Sequence, residues 1–141
     1  MSNLTCHISQ VINAPIERVF DAWLDPNMLS RFMLPMPGMP EPETEVDGQQ
    51  GGRFTIYMKV GEEVIPHTGC YLEIDRPRRL VFSWESPFSA DDSIVTLEFS
   101  AQDSKSTVLM LVHERFIDEE SRSNHETGWG YILKVLDEVC H

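Results

Sequence analysis

Residues 4–12 (LTCHISQVI) change between apolar and polar at most steps and predict a first strand, closed by Asn13, Ala14 and Pro15. The period then changes. Ile16, Val19, Phe20, Trp23 and Leu24 recur at helical spacing and form one apolar stripe, with Pro15 in a first turn where its missing N–H costs nothing. Asp25-Pro26 reads as an N-cap followed by a proline at the first helical position, starting a second short helix on which Leu29, Phe32 and Met33 share a face. This pair must end before Pro35. Residues 53–60, 68–76, 79–86, 93–102 and 106–116 return to alternation, are rich in β-branched and aromatic side chains, and have short connections. They predict an antiparallel meander. From Trp129 through Ile132, Leu133, Leu136 and Val139 or Cys140 the spacing is helical again, and Ser123 with Glu126 fits a capping box, giving a final helix of about 18 residues. Strand, two short helices, a run of strands and a long last helix predict an α+β fold with the helices on one face of a curved antiparallel sheet.

Alternation places Phe54, Ile56 and Met58 on one face, together with Leu72 and Ile74, then Leu80, Phe82 and Trp84. Val95, Leu97 and Phe99 follow, then Leu109, Leu111 and His113. Gly51-Gly52 and Gly69 stand where glycine lets a sheet bend or bulge. A curled sheet against one helix can enclose either a packed core or a ligand cavity, and periodicity alone fits both.

Composition narrows the function classes. The 141 residues suit one domain spanning 1–141, with no repeat, low-complexity tail or charge block to mark a boundary. A net charge of −12 and a pI near 4.7 repel phosphate backbones and anionic membrane surfaces, so nucleic acid is not an expected partner. The N-terminus has no basic segment leading into an apolar one, and no apolar run reaches the ~18 residues that span a bilayer. A cytoplasmic protein without membrane insertion is the expectation. Cys6, Cys70 and Cys140 are odd in number and far apart, which fits packing thiols in a reducing compartment. His7, His67, His113, His125 and His141 form no ligand cluster, and no metal or cofactor signature is present. The tract MLPMPGMPEPE (33–43) repeats methionine at 33, 36 and 39, and in a polyproline II segment those thioethers would line one edge. That spacing suits a soft metal, but methionine is also what adaptable apolar surfaces use.

Four segments together resemble the START-like (SRPBCC) superfamily: APIERVFDAWLDPNMLSRF (14–32), VDGQQGGRF (46–54), HTGCYLEIDRPRRLVFSW (67–84), and TVLMLVHERF (107–116) with HETGW (125–129). Within it the chain is similar to the branch named after the activator of the ninety-kilodalton heat-shock chaperone's ATPase, in its bacterial single-domain form. The resemblance implies a helix-grip fold with a deep apolar cavity between the sheet and the long last helix. Gly128-Trp129 match the family's Gly-Trp pair on that helix, His113 a histidine at the end of the last strand, Trp84 the aromatic ending the strand after Pro77, and Gly51-Gly52 the glycine pair before the third strand. Phe32 departs from the family's usual tryptophan, and the tract at 33–43 is unusually rich in methionine.

The implied function is binding of a small hydrophobic or amphipathic ligand such as a lipid, a polyketide or an aromatic metabolite. Phe54, Ile56, Met58 and Phe82 are the expected walls, with Trp84, Leu97, Leu111 and Trp129. His113 is the polar contact, and Met33, Met36 and Met39 are the mouth. Two alternatives stay open: a module stimulating the heat-shock chaperone's ATPase, and a cyclase, dehydratase or hydrolase using His113. Catalysis is not required, and no nucleophile, base and orienter trio is legible.

Overall fold

The computed structural model describes residues 4–87 and 93–140, so the expectation for His141 lies outside the described residues. The first alternating segment forms β1 (Thr5–Ile12), and the two apolar stripes form α1 (Ile16–Ala22) and α2 (Pro26–Phe32). Asp25 caps α2: its Oδ1 accepts the Asn27 N–H at 2.9 Å, with Pro26 entering the helix behind it. The meander follows as β2 (Glu43–Val46), β3 (Arg53–Val60), β4 (Glu63–Asp75), β5 (Arg79–Ser83), β6 (Ile94–Asp103) and β7 (Ser106–Glu114). All neighbours are antiparallel, in the order β1-β7-β6-β5-β4-β3-β2. The long helix α3 (Glu119–Cys140) packs against β1 and α2, completing the α+β helix-grip arrangement. Leu97, Leu109 and Leu111 from the sheet share one buried cluster with Leu133 and Leu136 from α3.

Several boundaries differ from the pattern, each for a local reason. The strand read as starting at 68 begins at Glu63, because Val60 pairs with Glu63 across a tight turn at Gly61 (φ 63°). Pro66 is tolerated inside it: opposite Tyr57, its second edge has no strand partner among the described residues, since β5 joins β4 only from Tyr71. A bulge between Tyr71 and Glu73 then reverses the alternation. Tyr71 is buried and Leu72, expected inward, is 47% exposed. The backbone of Gly51 and Gly52 pairs with Tyr71 at this bend, at 2.8 and 2.9 Å. Strand β2 is not among the strands that alternation predicts, and α3 starts four residues before Ser123 because Asp118 is the cap, accepting the Ser121 N–H at 2.7 Å.

Gly69 lies opposite Phe54 in the β3–β4 ladder, and its missing side chain leaves room for the Phe54 ring and the Ser83 carbonyl. A Cβ there would stand 2.5 Å from Phe54 Cζ and closer still to Ser83 O, which is backbone and cannot swing aside. Gly69→Ala should therefore destabilise the domain by about 2 kcal/mol in urea denaturation. An unchanged midpoint would show that the bend yields freely.

Candidate ligand-binding cleft

The inner face of the sheet is filled by rings for much of its length. Trp23, just past α1, meets Phe32 at 4.9 Å between centroids and Trp129 at 6.3 Å. Phe54 meets Phe82 edge-on at 5.3 Å, and Trp84 meets Trp129 at 5.0 Å. The void left among Trp23, Met33, Phe54, Ile56 and Phe82 is about 10 Å³. That is room for one water at most. The interior at this level is packed.

Toward the β3–β4 hairpin the packing stops. An open cleft of about 670 Å³ lies between the hairpin, the N-terminal half of α3 and the proline-methionine tract, within the size range of small-molecule sites. Its sheet wall is Met58, Val60, Ile65, His67 and Trp84, and its helix wall includes His125, Gly128, Trp129 and Ile132. The tract adds Pro35, Met36 and Met39. Pro35 can cross α3 closely because residue 128 is glycine: a Cβ there would come to 3.3 Å from the Pro35 ring. A turn at Gly38 (φ 81°) then breaks any regular three-residue repeat. The methionines therefore do not form a row. Met33 turns into the core, Met36 is half exposed and Met39 borders the cleft. Among the described residues no cluster of histidine, cysteine and carboxylate side chains could hold a metal ion.

Three histidines gather at this end of the sheet. His113 is fully buried on β7. Its Nδ1 accepts the Trp129 indole N–H at 3.0 Å, and because an indole can only donate, that nitrogen carries no proton. Its Nε2–H accordingly donates to the Ser93 hydroxyl. Burial lowers its pKa to about 3, so the ring is neutral. His125 Nδ1–H donates to the Ser121 carbonyl at 2.8 Å and His67 Nδ1–H to the Ile65 carbonyl at 3.1 Å. Burial lowers the pKa of both, which leaves Nε2 as the acceptor edge of each neutral ring.

A family model described as "Activator of Hsp90 ATPase homolog 1-like protein" matches residues 13–141. The chain belongs to this family. Solved structures agree on the fold: a protein from Chromobacterium violaceum is 24% identical, with a TM-score of 0.80, covering 99% of this chain and 98% of that one. CalU16 from Micromonospora echinospora is 28% identical with a TM-score of 0.71, covering 96% of this chain and 73% of that one. An Hsp90 activator from Plasmodium falciparum is 23% identical with a TM-score of 0.77, covering 96% and 94%. Among curated proteins no match was found. Among the described residues no helix is long and apolar enough to cross a membrane.

Within this member of the activator-like family the expected site residues separate into two groups. Met58, Trp84 and Trp129 line the cleft, with Met36 and Met39 at its mouth. Phe54, Ile56, Phe82 and Met33 surround the small packed void instead, and Leu97 and Leu111 are fully buried away from the cleft lining. His113 also stands outside the cleft lining, bonded to Trp129, so the histidines on the cleft wall are His125 and His67. The physical reason is that alternation assigns a face but not a depth. His67 and Ile65 were not among the expected lining residues, because the strand read from alternation starts at 68; extending β4 backwards puts His67 on the face of Gly69 and Tyr71.

Proposed function

We propose that this protein binds a small apolar or amphipathic molecule in the cleft between the β3–β4 hairpin, α3 and the proline-methionine tract. The observation that carries this reading is the contrast in packing: a cleft of about 670 Å³ adjoins an interior whose own void is about 10 Å³. A core filled to that degree beside an open apolar recess favours a guest over a packing fault. Met58, Trp84 and Trp129 serve as walls, and Met36 and Met39 as an adaptable mouth. A general acid or base at His113 is no part of this reading, because both its ring nitrogens are engaged by Trp129 and Ser93.

Tryptophan emission should respond when the protein is titrated with a broad set of lipids and aromatic metabolites. Asn124→Phe, at an exposed position on the helix wall, should weaken that response about ten-fold by filling the cleft. Flat titrations across the whole set would remove the reading. The family description and the likeness to a Plasmodium Hsp90 activator support a second reading, stimulation of a ninety-kilodalton heat-shock chaperone's ATPase. An ATPase assay at saturating protein checks it, and an unchanged chaperone rate rejects it.

A further inference from the structure

We propose that the cleft selects its guest by charge, taking an apolar molecule whose head group donates hydrogen bonds and carries no negative charge, and turning away carboxylates and phosphates. Alcohols, phenols and protonated amines share that chemistry. The inference rests on the binding reading above and names the class of ligand.

The N-terminus of α3 lies at the cleft. A helix N-terminus at the mouth of a cleft would ordinarily attract an anion. Here Asp118 caps the helix and Glu119 and Glu120 occupy its first turn, with Asp118 and Glu120 bordering the cleft. The cation of that turn, Arg122, is held by Glu119 at 2.7 Å and Glu126 at 2.9 Å. Among the described residues, no lysine or arginine lines the cleft. An entering carboxylate therefore meets carboxylates with no cation beside them, in the field of a chain carrying −12. The polar groups on the walls point the same way. His125 spends its Nδ1–H on the Ser121 carbonyl, so its Nε2 accepts from a guest. A hydroxyl or an ammonium can donate to that nitrogen, and a carboxylate or phosphate dianion cannot.

Three probes with the same chain separate charge from apolar contact: octan-1-ol, octylammonium and octanoate, added near neutral pH to protein labelled with ¹³C at the methionine methyls. Met36, Met39 and Met58 report the cleft, and Met110, exposed on β7, is the control. Octanol and octylammonium should shift the cleft methyls and bind about ten-fold more tightly than octanoate, a gap that Glu120→Lys should narrow to about three-fold. Octanoate binding as tightly as octylammonium, or a gap unmoved by Glu120→Lys, overturns the charge selection while the binding reading stands. Cleft methyls that stay still with all three probes overturn both.

Discussion

Replacing Trp129 by alanine is expected to lower the domain's stability by about 4 kcal/mol. The indole is 2% exposed and is the meeting point of three elements: it packs on Trp84 at 5.0 Å, on Trp23 at 6.3 Å, and donates to His113 at 3.0 Å. Alanine would remove the aromatic contacts, leave space between Trp84 and Trp23 beside the cleft, and leave the buried His113 Nδ1 without its donor. Trp129→Phe separates these effects. It keeps a ring between Trp84 and Trp23 and loses the donor, so about 1–2 kcal/mol should be lost. Urea denaturation measures both. A loss under about 1 kcal/mol for the alanine variant would mean that neighbouring rings collapse into the space, and the cleft wall would then be softer than the packing implies.

Trp129 also illustrates what the sequence makes legible. Its place on the apolar stripe of the last helix follows from spacing, as do the capped start of α2 at Asp25 and the face carrying Phe54, Ile56 and Met58. These depend on neighbours in the chain. The bulge after Tyr71, which leaves Leu72 outside while Ile74 returns to the core, involves the backbone of Gly51 and Gly52 across the sheet and has no signature within β4 itself. Cleft depth is a still longer-range property. Phe54 and Met58 lie on one face four residues apart, yet Phe54 is locked among Tyr71, Phe82 and Trp84 while Met58 borders open space. Which of them meets a guest is decided by how many large rings converge from α1, β4 and β5, and no single segment records that.

The tract at 33–43 changes meaning for the same reason. As a string it is a regular methionine row; folded, the turn at Gly38 and the contact of Pro35 with Gly128 send Met33 into the core and bring Met36 and Met39 to the cleft edge. The proline content stiffens this strap, and the methionines soften its inner edge.

Acid should destabilise this fold through His113 well before its structural carboxylates are protonated. The ring is fully buried, with a folded pKa of about 3 against an ordinary value of 6.5. Above pH 6.5 the ring is neutral in both states and pH has no effect through it. Below that, the unfolded chain takes up a proton that the folded one refuses, so stability falls as pH falls from 6.5 toward 3. The slope is about 1.4 kcal/mol per pH unit, or roughly 2 kcal/mol between pH 7 and 5. His67 and His125, whose pKa values burial also lowers, add in the same direction. Asp21, Glu85 and Glu119 are held below the usual carboxylate range by their arginine partners and hydrogen bonds, so their contribution is lost only at lower pH. The shrinking net charge works the opposite way, relieving repulsion as the pH nears the pI of 4.7. His113→Gln isolates the ring from all of these: its amide can accept from Trp129 and donate to Ser93 but cannot ionise. Wild type should lose about 2 kcal/mol more than this variant between pH 7 and 5 in urea denaturation. Parallel pH profiles for the two proteins would show that His113 takes up its proton without unfolding the domain, and the buried Ser93–His113–Trp129 chain would then be open to water.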